Sequence, residues 1–167
     1  MAIAFVAGST GPNSAGGSET LPLPAGYNTA GNITLAAFVC SYATGSAITP
    51  PSGWTVLYAT TNCLVCYRQY QSGDAATVTA TAATSGSPFW MSVAATYSGV
   101  DATNPVDGVN SLTSFPVGTG QVFNGTCRGP SLNPNYANDQ LVTFAMLAQS
   151  GNGGTFTPPA GQTTRAH

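Results

Sequence analysis

Apolar and polar positions along this chain follow a period of two or form short unbroken apolar runs; the period of a helix is nearly absent. Ala76-Thr77-Val78-Thr79-Ala80-Thr81 alternates small apolar residues with threonine, the pattern of a strand with one dry and one wet face. Ile33 to Cys40 is apolar at nearly every position and reads as a largely buried strand. Trp54 to Tyr58, Cys63 to Tyr70, Phe89 to Tyr97 and Leu141 to Leu147 are further strand runs. Turn signals separate them, among them Thr49-Pro50-Pro51-Ser52-Gly53 and Ser72-Gly73-Asp74. Short strands at regular spacing between Gly, Pro, Asn and Ser turns predict an all-β fold, an antiparallel β-sandwich of jelly-roll-like type.

The chain also echoes itself. Asn32, Leu35, Phe38 and Gly45 recur at the same spacing as Asn138, Leu141, Phe144 and Gly151. Ile48-Thr49-Pro50-Pro51-Ser52-Gly53 then recurs as Phe156-Thr157-Pro158-Pro159-Ala160-Gly161. A pseudo-repeated strand plus Pro-Pro-x-Gly turn is therefore expected, the turn chemistry resting on proline's fixed φ and glycine's access to positive φ. In the first copy the turn feeds two more strands, whereas the second copy stands close to His167. The expected organisation is an N-terminal strand and arm over 1–30, belonging to the same unit as a sandwich domain over 31–167, with further C-terminal residues beyond it.

Composition narrows the function. At 167 residues the chain can bury a substantial core without disulfides. Only 5% of it is charged, there is no lysine, and the formal net charge is −2. So thin a charge cannot steer nucleic acid or an anionic membrane surface, and neither is expected as a partner. The 43% of apolar residues argues against disorder. No run is long and apolar enough for a membrane helix, and Met1 to Gly8 lacks the basic start of a signal peptide.

Candidate chemistry is sparse. Cys63-Leu64-Val65-Cys66 has CxxC spacing, but no helix signal accompanies it, and residues three apart on a strand point to opposite faces. Cys40, Cys63, Cys66 and Cys127 read as small buried apolar residues; the alternative links Cys40 to Cys63 or Cys66, or Cys127 to either. Asp101, Asn104 and Asp107 gather oxygen ligands in one loop, which suits either Ca²⁺ or ordinary Asx turns around Pro105. No other cofactor is expected. A serine triad needs a placed imidazole, and the single histidine is His167. The chain therefore reads as a non-enzyme. Among its strand aromatics, Trp54, Tyr58 and Trp90 are candidates for stacking on sugar rings, with a sandwich core as their other destination.

One combination of motifs resembles a known family. An Asn-x-x-Leu-x-x-Phe strand at Asn32, Leu35 and Phe38 leads into Ile48-Thr49-Pro50-Pro51-Ser52-Gly53-Trp54-Thr55. Tyr67-Arg68, the Gly73-Asp74 turn, Tyr97-Ser98-Gly99-Val100-Asp101 and Asn104-Pro105-Val106-Asp107 follow. The series, over about residues 30 to 165, resembles a β-sandwich domain of tailed-bacteriophage virion proteins, notably of phages infecting actinobacteria, and of some bacterial surface proteins. The resemblance implies a structural protein of a virion, either a minor tail or fibre protein or a capsid decoration protein. Such a protein would assemble in the host cytoplasm, leave by lysis, associate as a homo-oligomer with other virion subunits, and meet a host cell-surface glycan. The alternative reading is a carbohydrate-binding module of a larger secreted bacterial protein.

Overall fold

A computed structural model of the chain describes residues 2–41, 43–85 and 88–106, together with Gln140, Val142, Phe144 and Thr163. Within them lie seven strands: β1 (Ala4–Thr10), β2 (Ser18–Pro22), β3 (Ile33–Cys40), β4 (Thr55–Ala59), β5 (Cys63–Gln69), β6 (Thr77–Thr81) and β7 (Trp90–Ser98). No helix occurs among the described residues. All pairings are antiparallel, and they build a five-stranded sheet in the order β1-β7-β3-β5-β4 and a two-stranded sheet of β2 and β6. The protein is all-β, two sheets arranged as a sandwich. Its first thirty residues give one strand to each sheet.

The strand runs from Ile33, Cys63, Ala76 and Phe89 appear as β3, β5, β6 and β7, and the Trp54 run appears as β4. The run from Leu141, the second Pro-Pro-x-Gly turn, Asp107 and Cys127 lie outside the described residues, save Val142 and Phe144. β2 is an addition. Ser18-Glu19-Thr20-Leu21-Pro22 carries one large apolar residue, too few for a strand pattern, yet it alternates exposed and buried positions against β6.

β3 organises the larger sheet because it is apolar on both faces. Ala36, Phe38 and Cys40 point towards the small sheet and join Leu21, Ile48, Trp54, Leu64, Cys66, Ala80, Trp90 and Ala94 in the main core. Ile33 points the other way, into a second cluster with Ala95 and Tyr97 against which Phe5, Leu35, Tyr67, Val100, Val106 and Val142 pack. Phe5 on β1 and Tyr97 on β7 meet edge to face at 5.8 Å between ring centroids. A strand buried on both sides must sit in the middle of a sheet, and β3 lies between β7 and β5.

Among the described residues, the main core encloses one carboxyl group. Glu19 is fully buried, and among the described residues the only ion pair lies elsewhere. Its Oε1 accepts a hydrogen bond from the Ser92 hydroxyl at 2.8 Å, and its Oε2 accepts one from the Ser14 backbone N–H at 3.1 Å, with the Ser14 hydroxyl also in contact. These bonds fold residues 11–17 over the core edge. The loop then accepts from Trp90: its indole N–H donates to the Gly16 carbonyl at 2.7 Å, and its backbone N–H to Ser14 at 3.0 Å. Gly11 passes so close to Ser92 and Glu19 that a Cβ there would collide with both side chains.

Replacing Glu19 by alanine strands the Ser14 and Ser92 donors in the interior, and urea unfolding should show a loss of about 2–4 kcal/mol. Glu19→Gln keeps the shape but one acceptor fewer, and its unfolding midpoint should fall between those of wild type and Glu19→Ala. Equal stability of all three would contradict this account of the loop.

Candidate functional site

The aromatic candidates separate. Trp90 is fully buried, its N–H spent on Gly16, so it cannot stack on a ligand. Tyr58 sits next to a bulge in β4 and pairs across to Val65, which points away from the small sheet. Trp54 belongs to the main core cluster at 9% exposure. The three therefore form no common platform, and Trp54 and Trp90 take the core destination that the sequence also allowed. The physical reason is strand alternation: side chains on successive positions leave by opposite faces, and Trp90 found its polar partner inside.

The three described cysteines do not bridge either. Cys40, Cys63 and Cys66 are free thiols. Cys66 pairs with Ala36, four positions from Cys40 on β3 and so about 13 Å along the strand, well past the roughly 7 Å limit for a disulfide. Cys63 pairs with Val39 and points to the face opposite Cys40 and Cys66. Burial pushes all three thiols upward, Cys66 to about 12. Asp101 behaves as an Asx-turn residue: its Oδ1 accepts from the backbone N–H of Thr103 at 2.7 Å and of Asn104 at 3.1 Å, and these bonds lower its pKa. Among the described residues, no three His, Cys, Asp or Glu side chains come together as metal ligands.

What the fold does assemble is a cleft of about 300 Å³ at one end of the sandwich, between the sheets. β3 and β5 contribute Thr34 and Arg68, the small sheet contributes Thr77, Val78 and Thr79, and the Pro-Pro-Ser-Gly turn contributes Pro51, Ser52 and the adjoining Trp54. Tyr27 and Tyr70 stand perpendicular to one another in it, 6.4 Å between centroids and 86° between planes. Comparison with known protein families, characterised proteins and solved structures finds no match to this chain. The cleft must be read from its own chemistry.

Its electrostatic centre is a clamp. Arg68 Nε and Nη2 donate to the two oxygens of Asp74 at 2.7 and 2.6 Å, a bidentate pair, and Nη1 reaches the Gly53 carbonyl. The Gln71 backbone N–H donates to Asp74 at 2.9 Å. Gly53 holds φ 76°, which suits glycine, and a Cβ there would strike the guanidinium. One guanidinium thus ties the Pro-Pro-Ser-Gly turn to the Ser-Gly-Asp turn, two turns twenty residues apart in sequence (roughly, from their glycines) that read from sequence only as punctuation. The Arg68 hydrogen bond is the main force holding the Asp74 carboxyl below its usual range, and the same bond raises Arg68.

Two outcomes follow. A carboxyl with a depressed native pKa contributes stability that is present above its unfolded pKa and disappears as the pH falls through the native value. Wild type should therefore lose an increment on the order of 1 kcal/mol on acidification that Asp74→Asn lacks, the two converging in acid denaturation curves. In a Cys127→Ser background, the three remaining thiols should resist iodoacetamide at pH 8 until the chain is unfolded, with Cys63 the first to react as denaturant is added. Rapid native labelling of Cys66 would contradict its placement.

Proposed function

We propose that this chain is a non-enzymatic structural domain of a tailed-bacteriophage virion, a minor tail or fibre protein or a capsid decoration protein. It acts by assembling with neighbouring subunits, and it attaches to the host surface. The observation that carries this reading is the pair of edges on the larger sheet. β1 and β4 are its outermost described strands, and each exposes a valine: Val6 is 41% and Val56 42% exposed. An edge strand that shows apolar side chains and no lysine is a template for pairing with another chain, the feature that isolated soluble proteins ordinarily suppress. The charge-poor composition and the resemblance of the turn and strand motifs to those of virion sandwich domains support the same reading. The jelly-roll-like topology belongs to this proposal too.

The carbohydrate-binding module of a secreted protein is the weaker reading. It calls for a row of exposed aromatics, whereas Trp90 is enclosed and Trp54 nearly so.

The full chain should self-associate as its concentration rises, measured by light scattering coupled to gel filtration. The double variant Val6→Lys, Val56→Lys should shift it to monomer at an unchanged melting temperature. A wild-type chain that stays monomeric throughout the range would remove the assembly reading.

A further inference from the structure

The cleft between the sheets has features that neither core packing nor assembly uses. Trp54 is nine-tenths buried and lines it, and its indole N–H, which donates to no group among the described residues, stays open to solvent, since no enclosed side-chain nitrogen there lacks a partner. The Ser52 and Thr77 hydroxyls, also in the lining, make no hydrogen bond to protein there either. Asp74 Oδ1 accepts only from Arg68, and a carboxylate oxygen has room for a second donor. Open donors and acceptors thus converge beside two tyrosine rings set at a right angle.

We propose that this cleft binds one neutral saccharide ring of a host cell-surface polysaccharide. This inference rests on the attachment half of the proposed function and names its ligand class. The charge state of the site decides against ions: Arg68 and Asp74 neutralise each other at 2.6 Å, so neither a phosphate nor a metal cation finds a net opposite charge. The mix of partners decides against a purely apolar guest, which would leave the hydroxyls, the indole N–H and the Asp74 lone pair without their water. A sugar ring answers both halves. Its C–H face stacks on one tyrosine of the corner while its edge meets the other, and vicinal hydroxyls both donate to Asp74 and accept from Trp54 or Ser52. The volume, at the small end of ligand sites, suits a single ring. The clamp holds the polar groups in place before binding, because Arg68 is fixed by both turns.

The test uses the full chain against glucose, galactose, N-acetylglucosamine, rhamnose and arabinose, read by saturation-transfer NMR and by tryptophan fluorescence. One or more should bind saturably in the millimolar range, where a single ring's few contacts place it (about −4 kcal/mol at 1 mM). Tyr70→Ala should weaken binding at least tenfold. Tyr58→Ala, on the other face of the sheet, should leave it unchanged, and melting temperatures establish that both variants fold. No binding by any of the five sugars, or binding indifferent to Tyr70→Ala, overturns the site. Co-sedimentation with bacterial envelopes, competed by the best sugar, identifies the source. A chain that sediments with envelopes but takes no sugar overturns the cleft and leaves attachment standing. One that takes a sugar through Tyr70 but ignores envelopes keeps the cleft and overturns attachment.

Discussion

The structure depends on one strand that cannot tolerate water on either side. β3 presents Ala36, Phe38 and Cys40 to one face and Ile33, Leu35 and Ala37 to the other, and every neighbouring element is placed by the need to cover both. Lateral cover comes from β7 and β5, the former paired with β3 along its full length. The small sheet covers the inner face with Leu21, Val78 and Ala80. On the outer face the cover comes from both ends of the chain: Ile3 and Phe5 from the N-terminal side, and Val100, Val106 and Val142 from beyond β7. Val142 matters here because it lies in the copy of β3 that the sequence repeats, and its own side chain packs against the sheet that β3 centres.

Against this apolar frame, the buried Glu19 is a device of position rather than of strength. A carboxyl group taken from water gains little net stability from three neutral donors, and an apolar residue of similar shape would cost less to bury. What it secures is the path of residues 11–17, since Ser14 and Ser92 reach it from the β1–β2 loop and from β7 at once. That loop in turn supplies the Gly16 carbonyl that satisfies the Trp90 indole. Among the described residues, the largest buried side chain therefore has its polar atom met by a loop that the only buried carboxyl ties down. Phe38, beside them, needs no such arrangement.

This explains what could be read from the sequence. Strands β3 to β7 were legible because their apolar content or alternation is dense, and their turns carry Pro, Gly, Ser and Asp. β2 was not, because its core contribution is a glutamate and a single leucine, and a charged residue is read as exposed by default. Alternation sets Trp90 and Phe89 on opposite faces, with Trp90 enclosed and Phe89 38% exposed. Which of them faces the core was not legible, since Trp90 shares its face with Ser92, Thr96 and Ser98 whereas Phe89 shares its face with Met91, Val93, Ala95 and Tyr97. The cleft was half legible. Trp54 and Tyr70 stood out as aromatics, Arg68 as a strand cation and Asp74 as a turn residue, but only the fold brings residues 27, 54, 68, 70 and 74 together. Sequence separation hides a bidentate pair whose partners lie on a strand and in the next turn.

The alternation along β5 shows why the cleft lies where it does. Leu64 and Cys66 point into the main core and are buried; the next residue on that face is Arg68. A guanidinium could not continue the core without desolvating its charge, so its position marks where apolar packing between the sheets ends. The clamp to Asp74 and Gly53 makes that boundary rigid by pinning two turns across the opening. Filling the end of the sandwich with a leucine at 68 would extend the core by one layer and release both turns. The chain instead holds a charged, hydrogen-bonded residue there, and the same choice that stops the core leaves a concave surface with aromatic walls. A polar stop in an otherwise apolar strand face is thus the physical origin of the cavity, and the two turns it fastens supply the cavity's rim.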